Sequence, residues 1–433
     1  MKPRIRSILF MLVFIFLCQC EREPDHIEIN DTVFLSELIR LGVDRNGDGL
    51  IGPDEALAVT SLNVSRISDG QGIITSLDGI ETFTNLKTLD CSNNQLTQLD
   101  VSKNTSLTGL FCGNNTLTSL NVSKNTLLES LSCNGNKLIS LDVSKNTALY
   151  NLECNNNQLT SLDFSKNTVL INIWCFSNQL TSLNISNCTA LYELRCDQNQ
   201  LTSLDVSNNT LLNFFSCTGN RLTSLDVSNN LSLTSLLCES NELTSLDISN
   251  NTLLGYINCS LNQLTSLELS NNSALVGLQC YYNKLTNLNI SNNTLLETLE
   301  CEANQLSTID ISNNTHLWFI TCCCNQLTIL DVSKNTSLTT LACESNQITI
   351  LDVSKNTLLG FLMCGDNLLS TLDISKNPVL NNEPTPPFVP LLDISKMPSL
   401  YQVCVSRIPY PPTGLNLNIA SSPNIYFATN CSR

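Results

Sequence analysis

Histidine is almost missing from this chain of 433 residues; only His26 and His316 are present. That removes the commonest general base and metal ligand from most of the sequence. Neither histidine has a nucleophile paired with it, and no phosphate loop or zinc spacing occurs, so the reading is non-catalytic. Charge is also scarce. Only 14% of residues are charged and 6% are aromatic, and 22 basic side chains face 38 acidic ones for a formal charge of -16. A nucleic-acid binder needs basic patches to displace counterions, so that class is excluded. Beyond residue 17 no apolar run is long enough to cross a bilayer.

The first twenty residues stand apart. Lys2, Arg4 and Arg6 precede an apolar run from Ile8 to Leu17 that ends at two cysteines. Ten residues are too few to span a membrane and fit an export signal. The segment 1–20 resembles a bacterial lipoprotein signal, in which Cys20 would be lipidated and become the new N-terminus. Leu17 stands three places before it, as that pattern prefers. Gln19 replaces the usual small residue and leaves Cys18 as the alternative, and plain secretion is the competing reading. The resemblance implies export to the outer membrane or cell surface, with membrane attachment through the lipid. Residues 21–58 then form a polar tether and a short loop-bearing segment.

Repetition fills most of the remainder. Cysteines stand at 91, 112, 133 and onward to 364, every gap being 21 residues. An asparagine follows each one three places later, from Asn94 to Asn367. A second asparagine column runs from Asn104 to Asn377, broken only by Cys188. Each unit holds two short alternating stretches, such as Leu131–Cys133 and Leu141–Val143. Alternation marks half-buried strands, and 21 residues leave no room for a full helix. The expectation is a coil of two short strands and two turns, stacked in register with parallel pairing. Leu131, Cys133, Leu138, Leu141 and Val143 should point inward, with the asparagines bonding backbone groups at the corners.

The pattern L-x-x-L-x-C-x-x-N-x-L resembles the leucine-rich repeat family, in the nested 21-residue bacterial form sometimes called the IRREKO type. The resemblance covers roughly residues 60–400. It implies a repeat solenoid, mainly β: a curved parallel-strand stack used for binding, most often of proteins. The units read as an N-terminal cap at 59–88, fourteen repeats at 89–379, and a degenerate coil with a C-terminal cap at 380–433. In that last part Ile394, twenty residues after Ile374, reads as its counterpart.

Many cysteines in an exported chain suggest a disulfide framework. Stacked coils argue otherwise. Their Cβ atoms would stay near 4.8 Å apart, and a disulfide wants about 3.8 Å. The expectation is a ladder of reduced thiols serving as small apolar filler. Zinc suits the ladder poorly, with one cysteine per coil facing a dry core. Outside the ladder, Cys404 and Cys431 flank the C-terminal segment and could form a disulfide that closes the last coil. Cys323 and Cys324 in "TCCCNQ" have no assigned role.

Ahead of the cap, residues 44–55 read "DRNGDGLIGPDE". They fit the twelve-residue calcium loop at every fixed position. Asp44, Asn46 and Asp48 offer side-chain oxygens, Leu50 its carbonyl, Glu55 a bidentate carboxylate, and Gly49 permits the sharp turn. The loop resembles an EF-hand, with an entering helix at 31–41, Asp31 as cap, and Phe34, Leu38 and Leu41 on one face. A single loop with a very short exit helix, from Pro53 to about Ala58, implies weak structural calcium, on the order of 10⁻⁴–10⁻³ M. A polar turn without metal is the other reading.

Two outward columns differ in character. The residue between Leu and Val is acidic in eleven of fourteen coils, from Asp100 to Asp373; it reads as a solubility stripe or as a cation-loaded adhesive strip. The column before each cysteine varies, and aromatics gather around it. Phe111, Trp174, Tyr192, Tyr256, Tyr281 and Trp318 form the candidate binding face for a protein or cell-surface ligand. The functional expectation is a surface-anchored interaction or adhesion protein, with a structural spacer or surface-layer component as the alternative.

Overall fold

A computed structural model describes residues 26–66, 72–381 and 391–429. Each coil follows from its residue columns. The central leucine of "x-Leu-x" turns inward and the ladder cysteine two places on does the same. All fourteen ladder cysteines are fully buried, as are Leu131 and Leu138, with Leu141 and Val143 nearly so. Leu128 and its counterparts add a further buried column. Successive coils therefore set like on like: Leu89 pairs with Leu110, and Leu110 with Leu131. Seventeen three-residue strands line up this way in one parallel sheet. At about 4.8 Å per strand they make a rod of roughly 75–80 Å.

Only one strand forms per coil across the main array, where the sequence suggested two. The stretch Leu141–Val143 carries no ladder; Asp163 with Asn184 makes an isolated bridge. The backbone N–H of Ser144 donates to Asp142 Oδ1 at 2.9 Å, closing a side-chain turn just after the stretch; the same turn follows Asp373, which lies in a paired strand of the second sheet, so the turn alone does not decide which stretch pairs. The same bond recurs at Asp100, Asp226 and Asp352. The acidic column is thus a row of turn formers, a role neither reading of it had assigned.

Both asparagine columns are buried and bond the coil beneath. Asn115 Nδ2 donates to the carbonyls of Cys91 (3.0 Å) and Cys112 (3.1 Å), and its Oδ1 accepts from Leu96 N at 2.9 Å. Asn125 Nδ2 reaches Val101 and Asn104 carbonyls, both at 2.9 Å. Just before the first column every coil holds a residue in the left-handed region, such as Asn93 (φ 58), Leu261 (φ 52) and Cys324 (φ 55). That residue turns the corner out of the sheet.

The ends extend the stack. Ser61–Asn63 pairs with Thr88–Asp90 and opens the sheet. In front of it, α1 (Thr32–Arg40) is capped by Asp31, whose Oδ1 accepts from Val33 and Phe34 N–H groups. Phe34 and Leu38 are buried, but Leu41 falls past the helix end and is 41% exposed, contrary to the expected face. The second helix, α2, spans Pro53–Leu57. At the other end Leu391–Asp393 and Asn416–Asn418 continue the main sheet, while Thr371–Asp373, Gln402–Cys404 and Tyr426–Ala428 form a second parallel sheet of three. This corrects the phase of the decaying repeat. Leu392 pairs with Leu362, so Ile394 takes the ladder position after Cys364 and is not the counterpart of Ile374. Its N–H donates to Asn418 O at 2.9 Å, as that of Cys364 donates to Asp393 O.

Candidate binding surface

The outer face of the sheet is built from the first and third residue of each strand, since the middle one is committed to the core. Across all seventeen strands that face carries a single Lys or Arg side chain, Arg195. Its guanidinium lies between two rings, 4.8 Å from the centre of Trp174 and 4.7 Å from that of Phe214. Contacts of this kind are cation–π attractions. Glu193 fixes both partners: its Oε1 accepts from Arg195 Nε and from Trp174 Nε1, at 2.5 and 3.1 Å. Alongside lies a hollow of about 380 Å³ lined by Phe176, Arg195, Asp197, Phe214, Ser216 and Leu237 among others. Burial raises the Asp197 carboxyl above its ordinary value, although Ser216 and Thr218 donate to it.

The six aromatic candidates do not form one patch. Trp174 belongs to the sandwich just described. Tyr256 lies across Gly277, where a Cβ would come within 2.6 Å of the ring, so the glycine makes room for it. Its hydroxyl donates to Gln279 Oε1 at 2.6 Å, and Gln279 Nε2 donates to Glu300. Tyr281 spans two coils to donate to Glu239 Oε1 at 2.8 Å, and burial with that carboxylate raises its phenol above the usual value. Phe111 is half-buried at a third strand position. Tyr192 and Trp318 are exposed and each precedes a strand by one residue; Trp318 meets Phe319 edge-on at 5.7 Å. Arg195, in the variable column, and Phe214, among the aromatics beside it, complete the centre of the face, although the six candidates do not include them. The signal was present: a lone cation in a column of otherwise neutral or acidic residues.

The loop at 44–55 is compact. Asp44 accepts from the N–H groups of Gly47 (2.7 Å) and Gly49 (3.0 Å), and Asp48 from that of Leu50 (2.9 Å). Gly49 has φ 82, the left-handed turn its position requires. Glu55 Oε1 accepts from the Arg45 and Asn46 N–H groups and its Oε2 from that of Gly52. The Gly52 N–H first, then that of Arg45, hold its carboxyl below the usual range. Among the described residues no three acidic, histidine or cysteine side chains converge on a metal position. The oxygen donors of Asp44, Asn46, Asp48 and Leu50 suit a hard cation, but Glu55 is committed to the backbone.

Seventeen described cysteines are free, and the ladder thiols among them are buried throughout. Two donate across the stack, Cys196 to Ser216 O at 3.4 Å and Cys259 to Gln279 O at 3.6 Å. Burial pushes Cys112 and Cys259 up to about 12, so these thiols stay protonated and inert near neutrality. Cys404 is disulfide-bonded. Cys431, its expected partner, lies outside the described residues, as do Cys18 and Cys20 of the leader. His26 is exposed, and His316 is exposed with Nδ1 3.2 Å from Thr294 O. Among the described residues no helix is long and apolar enough to cross a membrane.

One strand per coil, a parallel sheet and an interior file of leucine, cysteine and asparagine define a leucine-rich repeat solenoid. Comparison with solved structures agrees. The functional domain of InlJ from Listeria monocytogenes, which includes a cysteine ladder, is 39% identical over 77% of this chain and 73% of its own, with a TM-score of 0.73. The chain belongs to the leucine-rich repeat family. The leucine-rich repeat protein LIC12759 of Leptospira interrogans is similar in fold at 24% identity, over 80% of this chain and 92% of that one, with a TM-score of 0.69. The ectodomain of the receptor kinase GASSHO1/SCHENGEN3 from Arabidopsis thaliana, solved with CASPARIAN STRIP INTEGRITY FACTOR 2, shares the fold at 22% identity, over 76% of this chain and 48% of that one, with a TM-score of 0.59. No protein-family model and no curated protein matches the chain.

Proposed function

We propose that this rod is a non-catalytic interaction protein, displayed at the cell surface, that binds a protein through its sheet face. The carrying observation is the Trp174–Arg195–Phe214 stack. Its side chains are held by one another and by Glu193, so little rotamer entropy remains to be lost on binding. Tryptophan and arginine dominate interface hot spots, and the adjoining hollow offers an anchor point. A solved ectodomain of the same fold holds a partner factor, which accords with this use. Display follows from the leader: Cys20, or Cys18, carries the lipid, and the rod projects from the envelope as an adhesin or assembly factor.

Calcium enters as a weak structural ligand of Asp44, Asn46, Asp48, the Leu50 carbonyl and Glu55. Weakness follows from Glu55, which must give up three backbone hydrogen bonds to serve. A calcium titration of the melting temperature checks this: a rise in the native chain that Asp48→Ala abolishes supports the site, and an equal rise in both refutes it.

The binding reading is tested by partner capture with three chains: the native one, Trp174→Ala with Phe214→Ala, and one lacking residues 110–151, which are two whole coils. A binder loses its partner in the double variant while melting unchanged. A structural spacer captures nothing in any form and tolerates the deletion.

A further inference from the structure

Three consecutive cysteines, Cys322 to Cys324, occupy three different environments. Cys322 is a ladder thiol and fully buried, Cys323 is half-buried, and Cys324 is exposed. Cys324 sits at the left-handed corner with φ 55. The corner residues of the adjacent coils, Ala303 and Ser345, are in the same conformation. Cys323 and Cys324 thus stand together at the rim of the sheet face, outside the core that shields the other free thiols.

We propose that Cys324 is a thiol–disulfide exchange site, and that it retains a mixed disulfide instead of passing it to Cys323. The reaction consumes only a disulfide R–S–S–R of the surroundings. The Cys324 thiolate attacks one sulfur, a new bond joins Sγ to it, the R–S–S–R bond breaks, and the departing thiolate takes up the proton Cys324 released. The shared chemistry of the occupant is a thiol in disulfide form, either a small molecule or a second copy of this chain.

Resolution by Cys323 would need a ring through the peptide joining the two residues. Cα atoms across a trans peptide lie 3.80 Å apart, below the span of about 4.4–6.8 Å that disulfides adopt. The peptide would have to twist, and here it is clamped on both edges. The carbonyl of Cys323 accepts from Ala303 N at 2.9 Å and from Asn325 Nδ2 at 3.2 Å, and the N–H of Cys324 donates to Glu344 O at 3.0 Å. Twisting would break bonds to the coils on either side. Burial, with the Glu344 carboxylate nearby, also raises the Cys323 thiol above its ordinary value, so it is a poor attacking group near neutrality. An exported chain meets oxidised thiols, and on the proposed location the adduct is the resting state.

The test treats the full chain with glutathione disulfide at neutral pH and reads it by intact mass and non-reducing electrophoresis. Serine already occupies the Cys324 position at Ser177, Ser240 and Ser345, and the Cys323 position at Ser92 and Ser260, so both serine variants keep residues the rod already uses. The native chain and Cys323→Ser should each gain one glutathionyl group more than Cys324→Ser. A dimer lost only in Cys324→Ser would also support the site and would identify a second copy as occupant. Loss of two hydrogens without adduct, present in the native chain and absent from both variants, means an internal disulfide and overturns the proposal. Equal labelling of native chain and Cys324→Ser overturns it too.

Discussion

The sulfur of Cys188 lies 3.7 Å from the carbonyl oxygen of Asn167, in the column where the coils above and below place an asparagine amide. Asn167 Nδ2 reaches Asn146 O at 2.9 Å and Val143 O at 3.1 Å, and Asn209 Nδ2 reaches Cys188 O at 2.8 Å and Ile185 O at 3.1 Å. Cys188 offers one weak S–H contact where its neighbours make two amide bonds. Against this, the buried Oδ1 of each asparagine in this column accepts nothing among the described residues. Two bonds at about 1 kcal/mol each compete with one unsatisfied oxygen of about 1–3 kcal/mol. The repetition of asparagine through the column favours the bonds, so Cys188→Asn should raise the melting temperature by about 1–2 °C. A fall would mean that the stranded oxygen outweighs them.

Leu261 turns its corner at φ 52 while 40% exposed. A leucine in the left-handed region costs roughly 1–2 kcal/mol that glycine avoids, less the backbone entropy glycine loses. Gly135 and Gly219 fill this position six and two coils before Leu261 and hold φ 62 and 66. Leu261→Gly should therefore stabilise the rod by about 0.5–1 kcal/mol, read from denaturant midpoints.

Asp31 joins the helix to the cap. Besides capping α1, its Oδ2 accepts from Thr75 N (2.7 Å), Thr75 Oγ1 (2.9 Å) and Ser76 N (3.1 Å). Asp31→Ala should cost about 1–3 kcal/mol, from cap and tether together. In a stack stabilised by nearest neighbours the damage stays local. Hydrogen exchange should quicken across residues 32–40 and remain unchanged in the coils around Cys259; uniform acceleration would contradict this.

Stability should fall at both ends of the pH scale. Ladder thiols are raised by burial, Cys175 and Cys322 to about 12, while unfolded cysteine titrates near about 8.5. Their contribution is full below that pH and is lost as pH rises toward the folded values, because the unfolded chain releases protons first. The turn-forming aspartates act in the opposite sense. Asp142 is held below its ordinary value, first by the Ser144 N–H and then by the Ser144 hydroxyl; that stability is present above the unfolded value near about 3.9 and lost as pH falls below it. Melting temperatures from pH 3 to 11 should show a plateau between about 5 and 8. A flat profile up to pH 11 would contradict buried thiols.

Much of this architecture can be read from period alone. A fixed spacing of 21 puts identical residues on top of one another, so the inward roles of Leu131, Cys133, Leu138, Leu141 and Val143 follow without coordinates. What escapes is what single residues decide. The stretch Leu141–Asp142–Val143 alternates like a strand, yet it joins no ladder in the main array. Ile394 resembles either segment of the repeat, and pairing of Leu392 with Leu362 settles its phase. Trp174, Arg195 and Phe214 are far apart in sequence and adjoin only when coils are laid out as a grid. Glu55 matches a calcium ligand by spacing, and the three backbone donors it also accepts from leave no mark in that spacing.

The most direct measurement is a thiol count in denaturant without reductant, set beside the same count on the folded chain. An in-register stack with free sulfur inside should expose at least the fourteen ladder thiols on unfolding and almost none of them before. Few thiols in denaturant, or ready labelling of the ladder in the folded chain, would contradict it.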